Sequence, residues 1–103
     1  MNQIWQLELS PQAIVDLKGF DQTERTQIVK GIDKLKSDPR LRGHNLKGNL
    51  AGFRSLVVGK RKIRIIFRTI DSTVTVFVIA IGHRRNDEVY LKAATRTADS
   101  PEG

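Results

Sequence analysis

Lys62-Ile63-Arg64-Ile65-Ile66-Phe67-Arg68-Thr69-Ile70, then Asp71-Ser72, then Thr73-Val74-Thr75-Val76-Phe77-Val78-Ile79-Ala80-Ile81 and Gly82 form the most informative stretch of the chain. The first run alternates: Ile63, Ile65 and Phe67 point one way, while Arg64, Ile66 and Arg68 point the other, which is the period of a strand. The second run is almost continuously apolar, as expected of a central strand covered on both faces. Two strands joined by so short a turn are antiparallel. Immediately upstream, Phe53 to Val58 reads as a third strand, with Gly59-Lys60-Arg61 as the turn leading into Lys62 to Ile70.

Toward the N-terminus the period changes. Residues 3–9 suit a short strand. Ser10-Pro11 is a helix start, a Ser cap followed by Pro where no N–H is needed, and Ala13, Ile14 and Leu17 continue a short helix. Asp21, with Glu24 three residues on, opens a second helix whose Ile28, Val29, Ile32 and Leu35 make one apolar stripe ending before Asp38-Pro39. Residues 40–52 read as a basic loop. Toward the C-terminus, Gly82 closes the central strand, His83-Arg84-Arg85 follow, and Asn86 or Asp87 is placed to cap a last helix over about Glu88 to Thr95. The expected architecture is α+β: strand, helix, helix, three strands, helix, with about four antiparallel strands and a helix hairpin on one face. Residues 1–97 form one domain in this reading, and 98–103 a flexible polar tail.

Composition narrows the function. The 103 residues carry a net charge of +7 and contain no cysteine, which excludes disulfides, Cys-ligated zinc, iron–sulfur clusters and a thiol nucleophile. Residues 1–38 and 71–103 each carry a net −1, so the whole excess lies in residues 39–70, which hold nine cations and no anion. Such a segment is positive whatever its fold, and phosphate is its natural partner. An acidic protein or a membrane surface is the alternative on charge alone. His44 and His83 lack carboxylate neighbours at ligand spacing, so no metal is expected, and the glycine spacing matches no nucleotide loop, so neither is a cofactor. Met1 to Trp5 lacks the basic start and apolar run of a signal peptide, and the longest apolar run is too short to cross a bilayer as a helix. The expectation is a cytoplasmic protein with no membrane contact.

Gly52-Phe53-Arg54-Ser55-Leu56, Arg64-Ile65-Ile66-Phe67-Arg68, the apolar run from Val74 to Ile81, and Gly82-His83-Arg84-Arg85-Asn86-Asp87-Glu88-Val89-Tyr90 together resemble the RelE branch of the RelE/ParE toxin superfamily. The likeness spans about residues 3–95, and the closing Gly-basic-Arg followed by Glu-Val-Tyr is its most specific part. The resemblance implies a type II toxin, held inactive by a cognate antitoxin, that cleaves mRNA in the ribosomal A site. It places Arg54 at a first-strand basic position, Arg64 at the second-strand arginine, Arg84 at the arginine after the last strand, and Tyr90 at the tyrosine of the final helix. Arg40, Arg42, Lys47, Lys60, Arg61, Lys62, Arg68, His83 and Arg85 are the expected contacts to RNA and ribosome. One departure stands out: Leu56 and Val57 are apolar where a second basic residue is common. Either a cation of the turn, Lys60, Arg61 or Lys62, supplies it from another direction, or the site is a charge short.

The chemistry can be stated without the family. RNA can be cut by its own 2′-hydroxyl, given a base for that proton, an acid for the departing 5′-oxygen, and cations for the charge on the phosphorane. The basic segment offers arginines and no carboxylate pair. Tyr90 and His83 are the proton handlers near the closing motif; Arg84, which stays protonated, suits charge stabilisation. Each side chain also has a purely structural reading: Tyr90 packing its ring, Arg54 pairing with a carboxylate, Arg64 and Arg68 coating a polar face. Two other functions share the pattern, a ParE-style inhibitor of DNA gyrase that cleaves nothing and a non-catalytic nucleic-acid-binding module. The expected antitoxin is an acidic, partly disordered segment that covers the basic surface, and operator DNA would be met only through the toxin–antitoxin complex.

Overall fold

A computed structural model describes residues 4–60 and 62–101. The elements are β1 (Gln6–Leu9), α1 (Pro11–Lys18), α2 (Gln22–Lys34), β2 (His44–Asn45), β3 (Arg54–Val58), β4 (Ile63–Ile70), β5 (Thr75–His83) and α3 (Glu88–Ala94). The expected α+β class and helix order hold. The sheet is larger than expected and mixed: five strands in the order β1-β5-β4-β3-β2, with β1 parallel to β5 and every other pair antiparallel.

The extra strand, β2, lies in the stretch read as loop. It pairs His44 with Ser55 and Asn45 with Arg54. Gly43 permits this, because its φ is +70° and a Cβ there would run into the Ser55 carbonyl. The central strand also runs further than read. Gly82 does not end it but pairs with Arg64, and His83 pairs with Ile63. At its other end, Val74 stands in the left-handed region, so pairing to β4 starts at Thr75.

The helix hairpin forms where its caps predict. Ser10 Oγ accepts the Ala13 amide at 3.1 Å, and Asp21 Oδ1 accepts that of Glu24 at 2.8 Å. Ile28, Ile32 and Leu35 are buried, but Val29 is 51% exposed. Neighbouring helical residues point about 100° apart, so a stripe through Ile28 and Ile32 leaves Val29 on the shoulder. Gly31 lets α2 lie close on the sheet: a Cβ there would stand 2.6 Å from Val58 Cγ1.

Two cores result. Under the hairpin, Trp5, Ile28, Leu35, Ile63, Ile65 and Phe67 pack with Val76 and Val78. On the opposite face, Leu50, Phe53, Ile66, Phe77 and Ile79 pack against Val89 and Ala93 of α3. Arg64, Ile66 and Arg68 thus share the α3 face, as the alternation predicts. A bulge interrupts the ladder, because Ile66 faces Ala80 while Phe67 faces Val78, leaving Ile79 as the additional residue of β5.

Two local expectations are corrected. Asp87 stands at the N-cap of α3 as read, but neither it nor Asn86 caps the helix with a side-chain hydrogen bond, and both have positive φ, 57° and 54°. The stretch read as a flexible tail is folded as far as Ser100: Thr97–Asp99 is a 3-10 turn, and Ser100 is buried with its hydroxyl donating to the Thr97 carbonyl at 3.0 Å.

Candidate active site

The hairpin between β3 and β4 and the end of β5 meet at one end of the sheet. Register fixes the meeting: Arg64 lies opposite Val57 on one side and Gly82 on the other. Just beyond, the Arg84 amide donates to the Lys62 carbonyl at 3.0 Å, clipping the segment after β5 to the hairpin turn. Lys62, His83, Arg84 and Arg85 line a concavity of about 270 Å³ there. All four are exposed. Three of the four lining residues are Lys or Arg, so the concavity is basic. Lys60, at φ 56° in the turn, adds a further exposed cation. Arg61 lies outside the described residues.

His83 sits at the rim. Its ring is 5.3 Å from that of Phe20 at a tilt of 49°, which places it on the helix-hairpin side of the sheet end. Tyr90 approaches from the other face. α3 carries it over β3, where its hydroxyl lies 3.4 Å from Ser55 Oγ and its ring packs on the second core. It also lines an open groove of about 470 Å³ with Leu46, Lys47, Leu50 and Leu91. Ser55 is two residues along β3 from Val57, the partner of Arg64. The Tyr90 hydroxyl and Arg64 are therefore diagonal neighbours on the same face of the sheet.

Other expected site residues lie elsewhere. Arg54 is turned into the β2 loop. It donates from Nε to the Arg42 carbonyl at 2.7 Å, from Nη1 to Asn45 Oδ1 at 2.6 Å and from Nη2 to the Gly43 carbonyl at 3.1 Å. Arg42 donates from Nε to the Ser37 carbonyl at 2.7 Å. Arg40 stacks 5.2 Å over Trp5 and meets Asp71 at 3.4 Å, at the far end of the sheet. Arg68 is about 13 Å along β4 from Arg64, over Phe53 at 5.2 Å, with Nη1 3.4 Å from Ser100 Oγ. The structure thus gathers Lys60, Lys62, Arg64, His83, Arg84, Arg85 and Tyr90 at or near one end, and Lys47 joins Tyr90 along the groove. It does not gather Arg40, Arg42, Arg54 and Arg68 there.

Sequence reading missed a second charged cluster. Asp16 on α1 pairs with Arg96 at 2.7 Å and with Lys92 at 3.3 Å. Burial raises the Asp16 pKa, but hydrogen bonds from Arg96 and the Ile81 amide, with the charges of Lys92 and Arg96, outweigh it and hold the carboxyl below its ordinary value. No spacing signal announces this cluster, since its members are 76 and 80 residues apart. Among the described residues, no group of three or more His, Asp or Glu could hold a metal ion, and no helix is long and apolar enough to cross a membrane.

Comparison with known proteins gives a consistent answer. The family described as the ParE toxin of type II toxin–antitoxin system, parDE, matches residues 7–88. The mRNA interferase toxin RelE of Escherichia coli K12 is 28% identical over 90 residues, covering 87% of this chain and 94% of that protein. Among solved structures, a double arginine-to-alanine mutant of E. coli RelE in the free state superposes with a TM-score of 0.77 at 25% identity, over 92% of this chain and 99% of that one. The toxin of the Mycobacterium tuberculosis RelBE2 toxin–antitoxin complex shares the fold, with a TM-score of 0.70 at 23% identity over 80% and 93% of the two chains.

Proposed function

The chain belongs to the ParE toxin family of type II toxin–antitoxin systems, and from that membership and its RelE-type relatives we propose that it is a ribosome-dependent mRNA interferase. The observation that carries this reading is the concavity lined by Lys62, His83, Arg84 and Arg85; Arg64 lies two residues on from Lys62, in β4, with the Tyr90 hydroxyl, over Ser55, diagonal to it. In this reading the scissile phosphate sits in the concavity. Arg84 and Arg64 stabilise the phosphorane formed when the 2′-oxygen attacks, and the products are a 2′,3′-cyclic phosphate and a free 5′-hydroxyl. Tyr90 handles the 2′-hydroxyl proton. No step calls on a metal. Lys60 and Lys62 take the place of the cation missing at Leu56 and Val57, reaching the phosphate from the turn rather than from β3.

The partner that restrains it is an acidic, flexible antitoxin segment, since such a chain can follow a positive surface and associate rapidly with it. Relatives occur in this form: RelE toxins have been solved in complex with RelB antitoxins. Operator DNA is bound through that complex.

Brief expression in cells, with mapping of new mRNA 5′ ends, tests the reading. Cuts phased with codons are expected, and Arg84→Ala abolishes them. The matching family is that of the ParE toxin, and the alternative implied by the ParE resemblance is inhibition of DNA gyrase. Intact mRNA accompanied by DNA damage would replace the nuclease reading with that one.

A further inference from the structure

α3 is only seven residues long, too short to be stable by itself, yet it carries Tyr90. Beside the burial of Val89 and Ala93 in the second core, a carboxylate on another element grips its C-terminal end. The Asp16 side chain is 7% exposed. Its Oδ2 accepts the Ile81 amide at 3.0 Å and Arg96 Nη1 at 2.7 Å; its Oδ1 accepts from Arg96 Nη2 and from Lys92 Nζ, both at 3.3 Å. Arg96 Nη1 also donates to the Ile79 carbonyl at 2.9 Å. These backbone groups are available because β1 accompanies β5 only as far as the pairing of Leu9 with Val78. Past that point Asp16 and Arg96 stand in for a strand, taking up one amide and one carbonyl of β5.

The grip has a direction. Val89, Lys92 and Ala93 lie on one side of α3, and Arg96 follows in the turn just past its end, its amide donating to the Ala93 carbonyl at 2.9 Å. Val89 and Ala93 are fully buried on that side. Tyr90 lies on the flank, toward β3 and the groove. A roll of α3 about its own axis would break the Asp16 bonds and carry the Tyr90 hydroxyl away from Ser55 together.

We propose that Asp16 is a positioning residue: by holding Lys92 and Arg96 it fixes the roll of α3 and thereby places the Tyr90 hydroxyl beside the hairpin end of the sheet. The proposal rests on the nuclease reading only for its consequence in catalysis; the mechanical coupling from Asp16 to Tyr90 is independent of it.

Tyr90 is the sole tyrosine, so a ring-labelled tyrosine gives one set of NMR signals that reports the coupling directly. Asp16→Asn keeps the size and an acceptor for the Ile81 amide but removes the charge; Arg96→Lys keeps the charge but not the fork, and serves if the first variant does not fold. In folded variants the Tyr90 ring signals are expected to shift or broaden, and the amides of residues 88–94 to exchange faster. The cleavage rate constant should fall by about tenfold to a hundredfold, as for a misplaced group, with KM within about twofold. In an Asp16→Asn background, Tyr90→Phe should then cost little more. Tyr90 signals at their original positions in both folded variants, or losses from Asp16→Asn and Tyr90→Phe that simply multiply, would overturn the proposal. Displaced Tyr90 signals in a chain whose unaltered form cuts no mRNA would support the grip and overturn the nuclease reading instead.

Discussion

Arg84 is exposed, and its backbone amide is bonded to the Lys62 carbonyl. Truncating its side chain leaves that bond in place, so Arg84→Ala should change stability by under about 0.5 kcal/mol, as surface substitutions do. Tyr90→Phe loses only a long 3.4 Å contact to Ser55, a change of under about 1 kcal/mol. Both should nevertheless lower single-turnover cleavage by about a hundredfold or more while ribosome affinity changes little, the pattern of groups acting mainly in the transition state. Arg54 predicts the reverse. Arg54→Ala leaves the carbonyls of Arg42 and Gly43 and the amide of Asn45 short of a donor, which should lower stability by about 1–3 kcal/mol in urea unfolding. Any loss of cleavage should follow the loss of folded protein. The contrast shows where reading from sequence ends at this scale. An arginine on a strand in a basic stretch looks the same whether it faces a substrate or three acceptors of its own loop. The closing motif was more legible, because Gly82, Arg84 and Tyr90 carry their spacing with them along one short segment.

Elements whose determinants are local came through closely. The caps at Ser10 and Asp21 and the alternation along β4 are written within a few residues, and the structure places them as read. Those that depend on distant partners did not. The parallel pairing of β1 with β5 joins Gln6 to Thr75, and the bulge at Ile79 comes from how two strands match rather than from either alone. α3 starts without a side-chain cap because Asn86 and Asp87 are spent on a left-handed turn. Close approach is likewise invisible along the chain. Gly31, inside α2, is where the helix rests on β3. Gly31→Ala would raise helix propensity and also drive a methyl toward Val58 and Ile65, at 2.6 and 3.3 Å. Overpacking should win, with a net loss of about 1–3 kcal/mol in chemical denaturation. A gain in stability would mean that the hairpin rides more loosely on the sheet than this geometry allows.

On the scale of the whole molecule, the Asp16 cluster and the surface charge respond to different variables. Folding holds the Asp16 carboxyl below its ordinary value of 3.8, so the unfolded chain takes up a proton first as pH falls. The stabilisation is complete above that ordinary value and is lost as pH drops through the lower folded one. The stability gap between the unaltered chain and Asp16→Asn should therefore narrow as pH falls below the ordinary carboxyl value of 3.8, and a constant gap would show that Asp16 titrates alike in both states.

Salt probes the surface. Nine cations crowd residues 39–70, but the fold distributes them. Arg40 meets Asp71, Arg42 and Arg54 bond carbonyls of the chain, and Arg68 lies over Phe53. The hairpin end of the sheet instead draws Lys60, Lys62 and Arg64 from that segment and adds Arg84 and Arg85 from outside it. Each phosphate neutralised on a single strand releases about 0.7 of a counterion, so five such contacts give log K against log salt a slope of about −3.5, and nine would give about −6. Binding of a labelled single-stranded RNA, titrated from low to physiological salt, separates the two. A slope near the smaller figure that drops by about 0.7 in Arg85→Ala would assign the charge to the hairpin end of the sheet. A slope near the larger one would mean that the loop and far-end arginines abandon their partners to join the RNA, and a flat response would show that the concavity takes no phosphate chain.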